Sequence, residues 1–119
     1  MSSANHRVPG YLRGATYLSR DYGKALDAFR KAVRLAPDAA HAWDGLGTTY
    51  YNLNEFGRAL TAAREAVRLK PDDAGLWYQL GLDYAALGDH SEVIKVYDKL
   101  RILAPTMMAE TFFKNVVSP

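Results

Sequence analysis

Few residues of this chain have a type and spacing that could do chemistry. The three histidines, His6, His41 and His90, stand far apart, and none pairs with a carboxylate or a second histidine at ligand spacing, so no metal site is expected. Asp38 and the adjacent Asp72 and Asp73 are candidates for paired acids only if a simpler role is set aside. Asp38 and Asp72 each follow a proline, where a short acidic side chain can accept from the free N–H groups of a starting helix, and they are read as caps. Ser19, Ser91 and Ser118 lack the glycine context of a nucleophile elbow. Gly45-Leu46-Gly47 does not read as a phosphate loop, because no strand precedes it and no Lys-Ser or Lys-Thr follows. The chain has no cysteine, which removes disulfides, thiolate catalysis and cysteine-held zinc. With no convergent constellation to assemble, neither an enzyme nor a cofactor is expected.

Composition bounds the rest. A chain of 119 residues, 49 % hydrophobic and 24 % charged, suits one domain over residues 1–119 with a modest core. The net charge of +2 is too small to argue for nucleic acid. No run of apolar residues is long enough for a membrane span, and no secretory signal is visible, so a cytoplasmic protein is expected.

The elements that would position any site follow from punctuation and period. Residues 1–5 are polar and small, and are expected to fray. A first helix is expected over His6–Arg20 with Pro9 in its first turn, weakened by Gly10 and Gly14. A second should begin at Asp21 and run to Leu35, where Tyr22, Ala25, Leu26, Phe29, Ala32 and Val33 recur at spacings of three and four. Pro37 ends it, because proline disfavours the helical region for the residue before it.

From Ala40 the chain repeats itself. Trp43 returns as Trp77, Leu46-Gly47 as Leu80-Gly81, Tyr50 as Tyr84, Leu53 as Leu87, Leu69 as Leu103 and Pro71 as Pro105, all at one offset of 34 residues. Read backwards, Lys24–Asp38 lies over Arg58–Asp72 at the same offset. This order of Trp, Leu-Gly, Tyr, Ala and Pro at this period resembles the tetratricopeptide repeat over about residues 6–105. Repeat one spans 6–39 with a degenerate first helix, since Pro9, Arg13 and Thr16 fill the slots of Trp43, Gly47 and Tyr50. Repeat two spans 40–73 and repeat three 74–107.

Small residues in the repeats have a packing reason. Gly47 and Gly81 fall where paired helices approach closely, with Ala59 and Ala66 facing them. A capping helix over 106–117 should follow, started by Thr106, with Met108, Phe112 and Val116 one turn apart and Glu110 and Lys114 paired outward. Phe113 and Val117 broaden its apolar face, which reads either as core packing or as a self-association surface.

The resemblance implies an all-α fold, helix-turn-helix repeats stacked in a right-handed superhelix, and a non-enzymatic scaffold that binds a peptide or helical segment in its concave groove. The slots lining that groove hold Arg7, Tyr17, His41, Asp44, Thr48, Tyr51, Asn52, Tyr78 and Leu82. Its three tyrosines could grip a ligand or pack between helices, and the sequence leaves both open. The groove looks nearly neutral, with Arg7 and Asp44 as opposite charges near one end. Family members that bind acidic chaperone tails use a clamp of Lys, Asn and Arg, and the matching slots here hold Gly10, Gly14, Gly45, Gly75 and Gln79. That clamp is absent. Lys24, Arg30 and Arg34 recur as Arg58, Arg64 and Arg68, and this outward row is read as a solvated convex face. The expected partner is a protein or peptide, with no nucleic acid or membrane, and the chain is expected to be monomeric. Two other functions fit the same pattern: a self-associating module or piece of a longer array, and an assembly chaperone holding an apolar segment.

Overall fold

The computed structural model describes the backbone of residues 10–105 and 107–118 and the side chains of residues 21–105 and 108–118. In chain order the helices are α1 (Gly10–Leu35), α2 (Ala40–Asn52), α3 (Phe56–Leu69), α4 (Ala74–Ala86), α5 (His90–Leu103) and α6 (Met107–Phe112). α6 runs on into a wider π-helical turn, Phe113–Val117, closed by Ser118 N–H donating to the Phe113 carbonyl at 2.8 Å. Each helix packs on the next, α2 also touches α4, and α6 with its π turn covers α4 and α5. The fold is all-helical among the described residues, as the period requires.

The turns between repeats explain where helices start. Ala39 N–H donates to the Ala36 carbonyl at 3.1 Å, and Asp73 N–H to the Lys70 carbonyl at 3.3 Å. Proline thus takes the second position of a four-residue turn, where its fixed φ fits, and the following Asp38 or Asp72 takes the third. The N-cap falls one residue later than the sequence reading had it. α4 is capped by Asp73, whose carboxylate accepts from Gly75 N–H at 3.0 Å and Leu76 N–H at 3.4 Å. At the matching position α2 has Ala39 and no side-chain cap, so Asp38 caps nothing. Thr106 lies outside the described residues.

Turns inside the repeats depend on one left-handed residue, Asn54 at φ 61° and Gly88 at φ 77°. There the chain folds back, with Glu55 N–H on the Tyr50 carbonyl and Asp89 N–H on the Tyr84 carbonyl, both at 2.9 Å. In repeat one the same register falls on Arg20. A side chain with a Cβ costs roughly 1–2 kcal/mol in that conformation, and arginine lacks the short polar group that offsets it for Asn. The break expected between Arg20 and Asp21 is therefore absent, and α1 is continuous for 26 residues. Repeat one therefore begins on a single long helix.

Two clusters of buried side chains make the core. Leu46, Tyr50, Ala59 and Ala62 join α2 to α3, with Leu26, Phe29 and Val33 of α1 packed against them. The larger one runs from Ala63 and Val67 through Leu76, Leu80 and Tyr84 to Leu100 and Phe112. Gly47 lets α3 approach: a Cβ there would lie 3.2 Å from the Ala59 carbonyl and 3.4 Å from the Ala63 nitrogen. Gly81 serves a different neighbour from the expected Ala66. The nearest atoms to a Cβ there belong to Phe112, at 2.3 Å, and Val96, at 2.9 Å, so its missing side chain seats the cap.

Candidate functional site

The groove slots form one stripe on α2. Ala40, Leu46, Gly47, Thr49 and Tyr50 are buried, while His41 and Asn52 are exposed and Asp44, Thr48 and Tyr51 stay half-buried on the other side of the helix. On α4, Leu76, Leu80, Gly81, Asp83 and Tyr84 are buried, and Tyr78 and Leu82 are half-buried at the matching register. Because α2 and α4 touch, the two open stripes are carried on neighbouring helices.

Both described groove tyrosines pack on an aromatic neighbour and remain half-buried. Tyr51 meets Phe56 edge-on with ring centres 5.3 Å apart, and Tyr78 meets Phe112 edge-on at 5.2 Å. Each ring is fixed by one aromatic neighbour and keeps part of its surface open, which lowers the entropy a ligand would have to remove. Arg7 lies outside the described residues, and so does the side chain of Tyr17. At 1.5 Å per residue, position 17 lies roughly 27 Å along α1 from Leu35, beyond the roughly 20 Å length of α2. With α1 unbroken, no antiparallel helix brings position 17 back over the α2 stripe.

Burial pushes the Asp44 carboxyl above its usual range, with His41 opposing that shift and Asp73 adding to it. Asp83 on α4 is fully buried, and burial pushes it up to about 7; Gln79 opposes the shift and Asp44 adds to it. One Asp83 oxygen accepts from Gln79 Nε2 at 3.5 Å, while Oδ2 has no partner among the described residues. Burial thus favours the neutral form of both carboxyls, and Asp83, fully buried, adds no open charge to the stripe. Asp83 escaped the sequence reading because its register position holds Thr49 one repeat earlier, and Thr49 satisfies itself on the Gly45 carbonyl at 2.8 Å. The available signal was a lone carboxylate inside Leu80-Gly81-Leu82-Asp83-Tyr84.

The conserved-looking Trp and Pro slots are structural. Trp43 Nε1 donates to the Pro37 carbonyl at 2.8 Å and Trp77 Nε1 to the Pro71 carbonyl at 2.7 Å. Gly45, a slot of the absent acidic-tail clamp, has no room for a side chain: a Cβ there would fall 2.2 Å from the Phe29 ring. Gly45-Leu46-Gly47 lies within α2, not in a loop. Phe112 is fully buried, so the possible self-association face loses that residue; Val117 is half-buried against the core, and Phe113 is 41 % exposed, tilted on Tyr97. No ion pair joins Glu110 to Lys114 among the described residues. His41 and His90 are exposed at the starts of α2 and α5.

Comparison with known proteins agrees with this geometry. The family model for the tetratricopeptide repeat matches residues 17–74 and 45–107. The chain belongs to the tetratricopeptide-repeat family. No curated protein matches its sequence. Among solved structures, it superposes on the first TPR of Spaghetti (RPAP3) bound to the HSP90 peptide SRMEEVD, with TM-score 0.76, 21 % identity and coverage of 88 % of this chain and 85 % of that one. MamA gives TM-score 0.70 at 25 % identity, covering 87 % and 72 %. The TPR2B domain of yeast Sti1, in a complex with pHsp70, gives 0.72 at 16 % identity, covering 87 % of each. No helix among the described residues is long and apolar enough to cross a membrane.

Proposed function

We propose that the chain binds an extended or helical segment of another protein along the stripe of His41, Asp44, Thr48, Tyr51 and Asn52 on α2 and Tyr78 and Leu82 on α4. One observation carries this reading: at matching register on two touching helices, these residues stay open while their neighbours are buried. Tyr51, Tyr78 and Leu82 offer apolar area with a polar tip at two points, a surface suited to bulky apolar anchors. Thr48 and Asn52 can bond a ligand backbone.

The clamp slots disfavour an acidic ligand, since Gly10, Gly14, Gly45, Gly75 and Gln79 supply no cation there. An acidic tail of the kind held by the first TPR of Spaghetti would meet none of the clamp cations. A neutral or mildly basic segment with aromatic or leucine anchors fits better.

A random-peptide library lacking Asp and Glu, selected on the full chain, supplies the probe. Amide shifts in the labelled protein should then concentrate on α2 and α4. Shifts confined to α3 and α5 would refute the groove assignment.

A further inference from the structure

The outer surface holds a trough that the row of outward arginines does not reveal in sequence. α3 and α5 stand side by side above α4, and between them runs a trough of about 430 Å³. Its floor is built by the buried Val67, Leu80, Tyr84 and Val96 and the half-buried Trp77, and Glu92 of α5 also lines it. Arg64 and Arg68, one turn apart on α3, line one bank, and Lys95 and Lys99, one turn apart on α5, line the other. The sequence row stops at Asp98 and Ile102, but the trough draws its second pair of cations from other positions on α5.

A comparison within the molecule separates this trough from an ordinary solvated face. One repeat earlier the equivalent hollow, lined by Trp43, Leu46 and Tyr50, is smaller, about 270 Å³. There Arg30, the counterpart of Arg64, is engaged: its guanidinium donates to the Tyr50 hydroxyl at 3.0 and 3.2 Å. The slots of Lys95 and Lys99 hold Thr61 and Glu65. In the larger trough Arg68 pairs with Glu65 and Lys95 with Glu92, the latter at 3.6 Å. Arg64 and Lys99 have no carboxylate partner among the described residues, and Lys99 lies over the Trp77 ring at 5.6 Å. Arg64 and Lys99 are thus the lining cations left without a carboxylate partner among the described residues, one on each bank.

We infer that the α3–α5 trough is a docking site for an acidic amphipathic segment of another protein, with apolar side chains packed beside Trp77 and carboxylates reaching Arg64 and Lys99. Cations on both banks complement a segment carrying acidic residues on both sides of an apolar stripe, and charge of one sign along an apolar groove selects its opposite. A bare polyanion matches the banks and wastes the floor. The site lies on the opposite side of α4 from the groove proposed above and stands independently of it.

The test uses the full chain and a labelled synthetic helical peptide with a leucine stripe flanked by glutamates, followed by fluorescence anisotropy. A scrambled peptide of equal composition, duplex DNA and phosphatidylglycerol vesicles are the competing occupants. The striped peptide should bind at least tenfold more tightly than the scrambled one, and less tightly as salt is raised. Arg64→Glu with Lys99→Glu should weaken it at least tenfold, the Gln pair less, with folding checked by circular dichroism, and Tyr51→Ala should leave it within twofold. Equal binding of the scrambled peptide, indifference to the charge reversal, or capture of DNA or vesicles in place of the striped peptide would overturn the assignment.

Discussion

The indole N–H of Trp77 donates to the carbonyl of Pro71 at 2.7 Å across the turn that joins repeats two and three. Trp43 and Pro37 repeat the relation at 2.8 Å. Two residues that look like unrelated consensus positions are thus one device: proline shapes the turn, and tryptophan of the next helix satisfies the carbonyl the turn leaves free. Trp77→Phe keeps the ring and removes the donor, and should cost about 1 kcal/mol. Urea unfolding of Trp77→Phe against the parent measures it, and an unchanged midpoint would make the bond incidental.

Gly81→Leu should be among the most damaging single changes. Even a Cβ at that position would sit 2.3 Å from the Phe112 ring and 2.9 Å from Val96, in a core that cannot expand without shifting the cap. Overpacking commonly costs about 1–3 kcal/mol. Gly57→Ala is the matched control, because a Cβ there meets nothing within 4 Å and helix propensity favours alanine by up to about 1 kcal/mol. Thermal melts should move in opposite directions for the two.

Asp83 gives stability a pH dependence. Burial raises its carboxyl from 3.8 to about 7, so the folded state binds the proton more tightly than the unfolded one. The contribution is fully present below about pH 4 and is lost as pH rises through about 7, with up to about 4 kcal/mol at stake. Asp83→Asn keeps the shape and removes the charge. It should therefore be clearly more stable than the parent at pH 8 and close to it at pH 4, by denaturant unfolding at each pH. A constant difference across that range would mean Asp83 is not the titrating group.

The C-terminal segment should act as a lid on repeat three. Phe112 and Leu100 are both fully buried, and Phe112 is held against Tyr78 and the space left by Gly81. The full chain is expected to be monomeric at micromolar concentration, and removal of residues 106–119 should uncover this surface and promote association. Light scattering on both forms decides, and a dimeric full chain made monomeric by Phe113→Asp would point to the cap as an interface instead.

Repeats two and three were legible because their signals are redundant. Period, small residues at close approaches and proline-marked turns all report the same helices there. The break expected at Arg20–Asp21 is absent because the apolar period continues through Arg20, where the turns within repeats two and three have the left-handed Asn54 and Gly88. Caps were misplaced by one residue because Pro-Asp reads as a helix start until the turn's hydrogen bond fixes it as the middle of a turn. The open side of α2 and α4 followed from repeat register, and its use as a groove is the proposal made above. Asp83 did not, since its burial depends on helices distant in sequence, and neither did the α3–α5 trough, whose two banks come from positions with no shared sequence pattern.

Tyr51 is the residue on which the groove reading depends most. With the peptide selected from the library lacking acidic residues, calorimetry on the full chain should find Tyr51→Ala weakening binding by about 2 kcal/mol or more, as truncated aromatic anchors often do. Arg30→Ala and Arg64→Ala, on the outer face, should each change it by about 0.5 kcal/mol or less. If the arginine changes abolish binding while Tyr51→Ala leaves it intact, the partner does not lie on α2 and α4, and the concave-groove account is wrong.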